Sequence, residues 1–229
     1  MLQSLGEGIW TTSGPIAVVA GFRYPTRMVI IRLRDGGLFI WSPVALNDSL
    51  RVAVDALGPV HHVVAPNALH HLHVGEWRLA YPDATIYAAP GLRDRRPDMV
   101  FDEDLGETPP AAWSGEIDQV VVRGNWITSE VVFFHRNSRT AIFTDLIQHF
   151  EPGWFRGWRA VVARLDLLTA PAPAVPNKFR IAFVQRKLAR DALQHILAWP
   201  IEKVVMAHAA PVHEGGQAVV ARAFRWLTR

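Results

Sequence analysis

Val60-His61-His62-Val63-Val64-Ala65-Pro66-Asn67-Ala68-Leu69-His70-His71-Leu72-His73 holds a short β-type run, a proline stop and a polar segment carrying three imidazoles. Val60–Ala65 has the length and β-branched content of a buried strand, and Pro66 ends it by removing a backbone donor. The segments on either side extend the pattern. Upstream, Leu46–Leu57 has helical spacing, with Leu50, Val54 and Leu57 on one face, Asn47, Asp48 and Ser49 as cap candidates, and Gly58-Pro59 as the stop. Before it, Met28–Leu33 and Leu38–Trp41 flank Arg34-Asp35-Gly36-Gly37, a strong hairpin signal.

Downstream, Thr85–Ala88 reads as a strand leading into the charged loop Pro90–Pro110. Gln119–Val122, Val131–His135 and Ala141–Thr144 read as further strands. After Asp145 the spacing turns helical over Trp154–Leu168 and Arg180–Trp199, with the Pro/Ala stretch Thr169–Asn177 between them. Lys203–Met206 is a short strand and Gly216–Leu227 a closing helix. Helices that separate strands in this way predict a layered α/β domain. The expectation is one domain over residues 1–229, with a helical, Pro/Ala-containing insertion around 152–200.

Composition limits the chemistry. The chain has 229 residues, half of them hydrophobic and 20% charged, enough for a sizeable core and too apolar for disorder. It has no cysteine, so disulfides, thiolate nucleophiles and sulfur-ligated metals are excluded. The start of the chain, Met1–Trp10, lacks the basic and apolar regions of a signal peptide, and no apolar run is long enough to span a membrane. A cytoplasmic location is expected.

Residues 1–155 carry 12 Arg/Lys against 17 Asp/Glu, net −5, whereas residues 156–229 carry 12 against 4, net +8. The late positive charges fall at helical spacing and read as solvated faces, not as a nucleic-acid or membrane surface. Gly153-Trp154-Phe155-Arg156-Gly157-Trp158-Arg159 alternates aromatics with arginines. Packing is its first reading, with a lid or an anionic lipid contact as alternatives.

Three strand exits carry metal-type side chains. His70, His71 and His73 follow Val60–Ala65, Asp145 follows Ala141–Thr144, and His208 follows Lys203–Met206. Loops leaving the carboxyl ends of neighbouring strands converge on one edge of such a domain, where ligands bind. Each residue alone also fits a structural role: a loop cap for the histidines, a turn for Asp145, a satisfied buried imidazole for His208. Together they predict a nitrogen/oxygen site for zinc, with manganese or iron as alternatives, or a site that holds no metal. His70, His71, Asp145 and His208 are the candidate ligands, and His73 and His135 stand behind them.

These pieces resemble the metallo-β-lactamase fold, in the uncharacterised branch known as the DUF4336 family. The resemblance rests on Leu5-Gly6-Glu7-Gly8-Ile9-Trp10, the Met28–Trp41 hairpin, Pro66–His71 and Tyr81-Pro82-Asp83-Ala84. It continues through Phe134-His135-Arg136, Ser138–Leu146 and Met206-Ala207-His208. It implies a four-layer αββα sandwich with a metal site where two sheets meet. Hydrolases of this fold carry HxHxDH where this chain has Asn67-Ala68-Leu69-His70-His71, so Asn67 stands where the first histidine belongs. A later ligand histidine falls near Trp126–Ser129, where there is none. Asp145 and His208 match the bridging aspartate and the late histidine.

The function implied is metal-assisted hydrolysis of a small ester, lactone, amide or phosphoester at a reduced, single-metal site. The alternative is a metal-free, non-catalytic descendant that binds a small molecule or a protein partner.

Overall fold

The computed structural model describes residues 1–228. The Asp35-Gly36 turn forms as expected: Asp35 Oδ1 accepts from Gly37 N at 2.8 Å and Gly36 takes φ +87°, joining β3 (Phe22–Arg32) to β4 (Leu38–Trp41). Two strands precede them, β1 (Gln3–Gly6) and β2 (Ile9–Val19). Next come α1 (Asp48–Asp55), capped by Asn47 on Leu50 N, and then β5 (Val60–Ala65), α2 (Val74–Ala80), β6 (Thr85–Ala88), α3 (Leu92–Arg95) and β7 (Glu103–Asp104). These seven strands form one sheet in chain order, antiparallel from β1 to β4 and parallel from β4 onward.

The second sheet has the order β11-β10-β9-β8, built from β8 (Ile117–Val122), β9 (Glu130–His135), β10 (Thr140–Phe143) and β11 (Lys203–Met206). Between β10 and β11 lie α4 (Trp158–Leu165), α5 (Asn177–Ala182) and α6 (Arg186–Leu197). The chain closes with α7 (Gly216–Ala223) and α8 (Arg225–Thr228).

Strand alternation sorts the core into layers. On β3, Val29 and Ile31 join Phe39, Trp41, Phe133, Ile142 and Val205 between the two sheets. Met28 and Ile30 point the other way, toward Val54, Trp77 and Leu92 on α1, α2 and α3. On the far side of the small sheet, Phe134, Phe143 and Val204 pack on Phe179, Leu193, Ile196 and Phe224 from α5, α6 and the α7–α8 segment. The result is an αββα sandwich in four layers.

The expected helix Arg180–Trp199 is two helices. Gly124 O accepts from both Val184 N and Gln185 N, which pins the link between α5 and α6 against the β8 exit and ends the first helix. Among the described residues no helix is long and apolar enough to cross a membrane.

Two buried histidines, His62 and His135, sit in the sandwich away from the Asp145 and His208 strand exits. Burial holds His62 and His135 down to about 4, with the His61 charge adding at the first and Lys203 at the second. Glu130 moves the other way: burial and the Asp145 charge push it up to about 7. The two histidines bind protons more readily unfolded, so their stabilisation is full above pH 6.5 and is lost as pH falls toward 4. Glu130 binds its proton more readily folded, so its contribution is full below its ordinary pKa and is lost as pH rises through 7. Between about pH 4.5 and 6.5 the two histidines outweigh the one carboxyl by one proton. Unfolding free energy is therefore expected to drop by about 2 kcal/mol from pH 6.5 to 5. Urea titrations at the two pH values measure it, and in the double variant His62→Gln, His135→Gln the change should reverse sign, because the raised Glu130 carboxyl then favours the fold at the lower pH.

Candidate metal centre

Strand register places the candidate residues. Phe143 pairs with Met206 across the parallel β10–β11 ladder, so Asp145 and His208, each two residues further on, leave the sheet side by side. Trp41 pairs with Val64 across β4–β5, which sets Ser42 beside the exit of β5. The sheets are joined at this edge: Asn67 bridges Glu130, and Val131 N donates to Pro66 O at 2.8 Å.

Asp145 is the centre. Its Oδ2 lies 3.2 Å from His70 Nε2 and its Oδ1 lies 3.3 Å from His208 Nε2. From behind, Asn67 Nδ2 donates to Oδ2 at 2.7 Å and Gln148 Nε2 to Oδ1 at 3.2 Å. Burial alone would raise the Asp145 carboxyl, but the His70 charge and the hydrogen bonds from His208 and His70 hold it well below the ordinary range. One donor atom from each of His70, Asp145 and His208 lies within 4.8 Å of the others.

Each imidazole is held from its far side. His208 Nδ1 is 2.7 Å from Pro25 O, and His70 Nδ1 is 2.8 Å from Ser42 Oγ. Ser42 itself adopts φ +51°, an uncommon backbone state for a residue with a side chain, of the kind that gathers at functional sites. A carbonyl only accepts, so the His208 proton sits on Nδ1. Its Nε2 then turns a lone pair toward a carboxylate oxygen, which is repulsive unless a cation, either H⁺ or a metal ion, lies between them.

Asn67 and Glu130 organise the floor. Asn67 Oδ1 accepts from Leu69 N and His70 N, both at 2.9 Å, which turns the loop so that His70 faces inward. Glu130, fully buried, accepts from Thr144 N, Asp145 N and Leu146 N at 2.8, 2.8 and 3.1 Å and so shapes the Asp145 loop. Neither role was expected from the sequence. The available signal was a charged residue at the head of the otherwise apolar run Val131–Phe134.

The other candidates lie outside the cluster, although His71 and His73 line the same cavity. The Nδ1 of His71 is buried without a hydrogen-bond partner among the described residues, and burial, Arg96 and Arg95 hold its pKa down. His73 sits at the start of α2, with Nδ1 3.2 Å from Glu76 Oε2. His135 pairs with Thr140, at the end of the β9–β10 ladder away from Asp145. It bonds Ser138 and faces a separate polar cavity with Glu7, Arg32 and Arg136. The Gly153–Arg159 segment packs against the β2–β3 hairpin: Phe155 and Trp158 contact Phe22, and Trp154 Nε1 donates to Arg23 O.

The donor set suits a divalent transition metal. Two imidazoles and one carboxylate are a common three-ligand catalytic set for zinc and the facial set of non-haem iron. Ligands at about 2.1 Å in a tetrahedron stand about 3.4 Å apart, close to the His–Asp separations here. Both imidazoles also have the outer hydrogen bonds that metal-binding histidines carry.

A four-layer αββα sandwich with such a cluster at the edge where its sheets meet has the architecture of the metallo-β-lactamase fold. The chain belongs to the DUF4336 family, a domain of unknown function, whose model matches residues 7–156. No curated protein matches the sequence. Among solved structures it is similar to DIM-1 metallo-β-lactamase exposed to ceftazidime, at 14% identity and TM-score 0.66, covering 100% of this chain and 96% of that one. It is similar also to the metallo-β-lactamase from Pontibacter korlensis, at 12% identity and TM-score 0.67, covering 100% and 99%. A third similar structure is FIM-1 from Pseudomonas aeruginosa in its mono-zinc form, at 12% identity and TM-score 0.65, covering 100% and 96%. At these identities the likeness establishes the fold.

Proposed function

We propose that this protein is a metal-dependent hydrolase with one divalent ion, zinc first, held by His70, Asp145 and His208. The observation that carries the reading is the His208 arrangement: Nδ1 donates to Pro25 O, which leaves Nε2 facing the Asp145 carboxylate across 3.3 Å with room for a cation between them. An ion in this place supplies Lewis-acid polarisation and makes water acidic enough to ionise near neutral pH.

The chain's own groups do the rest. Asn67 and Gln148 fix the Asp145 carboxylate, Ser42 and Pro25 fix the two rings, and the cavity of about 770 Å³ that opens over them is walled mainly by apolar side chains. That wall excludes water from the rest of a bound substrate and favours an ester, lactone or amide over a multiply charged phosphoester. The net reaction adds water across the acyl C–O or C–N bond, giving an acid and an alcohol or amine.

The test is hydrolysis of a chromogenic medium-chain ester by chelator-treated protein before and after zinc is restored. Zinc should restore turnover at least a hundredfold above the stripped protein. Turnover that is indifferent to chelator and zinc would contradict the proposal.

One observation favours the metal-free alternative: Asp145 already meets Asn67, Gln148 and both imidazoles, and a single imidazolium ring would neutralise it without a metal. In that case added zinc leaves the melting temperature unchanged, whereas a bound ion raises it with concentration.

A further inference from the structure

Tyr24 and Lys178, both outside the cluster, enter the same cavity, and Lys178 comes from α5, beyond the stretch matched by the family model. Lys178 Nζ donates to Tyr24 Oη at 3.1 Å and lies 3.4 Å from Asp166 Oδ2. Asp166 is fixed in turn by accepting from Lys178 N at 2.7 Å. Tyr24 is clamped edge-on between His208 and Phe150, with ring centroids 5.2 and 5.7 Å away. Its oxygen accepts from an ammonium, so its O–H must point elsewhere, and that proton has no acceptor among the described residues. A phenol that accepts from a cation is a strengthened donor.

The rest of the lining is mainly apolar, with Ile16, Val18, Phe22, Leu69, Leu72 and Phe179 among it, beside the polar Thr26, Ser42, His71 and His73. The cavity's one lysine is already paired with Asp166 and no arginine lines the cavity, so no free ammonium or guanidinium awaits an anion.

We propose that the cavity takes an uncharged acyl compound with an apolar chain, and that the Tyr24 hydroxyl, positioned by Lys178, donates a hydrogen bond to its acyl oxygen. The chain lies along the apolar wall while the acyl group sits between Tyr24 and the His70–Asp145–His208 edge. The substrate class rests on the hydrolase reading. Binding itself requires neither a metal nor turnover.

A ketone that cannot be hydrolysed, carbonyl-labelled 2-nonanone, tests this by calorimetry and infrared spectroscopy, first in chelator and then with zinc. Wild-type protein should bind the ketone more tightly than it binds nonanoate. Tyr24→Phe, which keeps the ring contacts, should bind it about tenfold more weakly, the loss of one hydrogen bond. The bound carbonyl band should also rise in that variant toward its value in an apolar solvent. Lys178→Met should give an intermediate band. No ketone binding, nonanoate binding more tightly than the ketone, or a Tyr24→Phe variant with unchanged affinity and band would each overturn the proposal. Failure of the hydrolase reading would appear separately, as absent zinc-dependent turnover with the ketone results intact.

Discussion

Asp145→Asn protein is expected to bind zinc at least a hundredfold more weakly than wild type and to lose all zinc-restored turnover. The substitution keeps the side-chain volume but removes the charge that faces both His70 Nε2 and His208 Nε2. Loss of an outer partner of a metal ligand costs 10–100-fold in affinity, and loss of the charged ligand itself should cost more. Competition with a chromogenic chelator measures the affinity. An Asp145→Asn affinity within threefold of wild type would remove Asp145 from the ligand set. Far-ultraviolet circular dichroism should match wild type, because Glu130 still accepts from the loop's backbone at Thr144 N, Asp145 N and Leu146 N.

Glu130→Ala is expected to produce the largest stability loss among single changes near the site, about 3–5 kcal/mol. It strips the acceptor from three buried backbone N–H groups, those of Thr144, Asp145 and Leu146. Each orphaned donor costs about 1–3 kcal/mol, and water entering the vacated space offsets part of the total. Against a typical domain stability of about 5–15 kcal/mol, a loss of that size leaves a marginal fold. Urea unfolding at pH 6.5 reads it. A loss under about 1 kcal/mol would show that the Asp145 loop holds its shape without this side chain.

Much of this arrangement is written locally in the chain. β5, β6 and β11 begin and end where their apolar runs do, and the Asp-Gly turn joins β3 to β4 as read. β1 and β2 are the exception. Their alternation is broken by Gly6, Gly8, Gly14 and Pro15, and β2 is a strand because it pairs with the long β3, a contact between segments that no local pattern reports. The seven-residue α2 is too short to display helical periodicity, and its stability comes from Trp77, buried against the large sheet with its indole donating to Val44 O.

The site divides in the same way. That strand exits would deliver His70, Asp145 and His208 to one edge follows from topology. Which of three neighbouring histidines turns inward depends on Asn67 accepting from the His70 backbone, a bond set by the Asn67–Glu130 bridge between sheets. Tyr24 and Lys178, separated by 154 positions, meet only because α5 folds back over the β2–β3 hairpin.

Stoichiometric zinc binding with the coordination shell read by X-ray absorption tests the central claim most directly. One equivalent of zinc bound through two imidazole nitrogens and oxygen, abolished in His70→Ala, His208→Ala protein, is the predicted result. Less than a tenth of an equivalent after reconstitution, or zinc retained unchanged by that double variant, would contradict it.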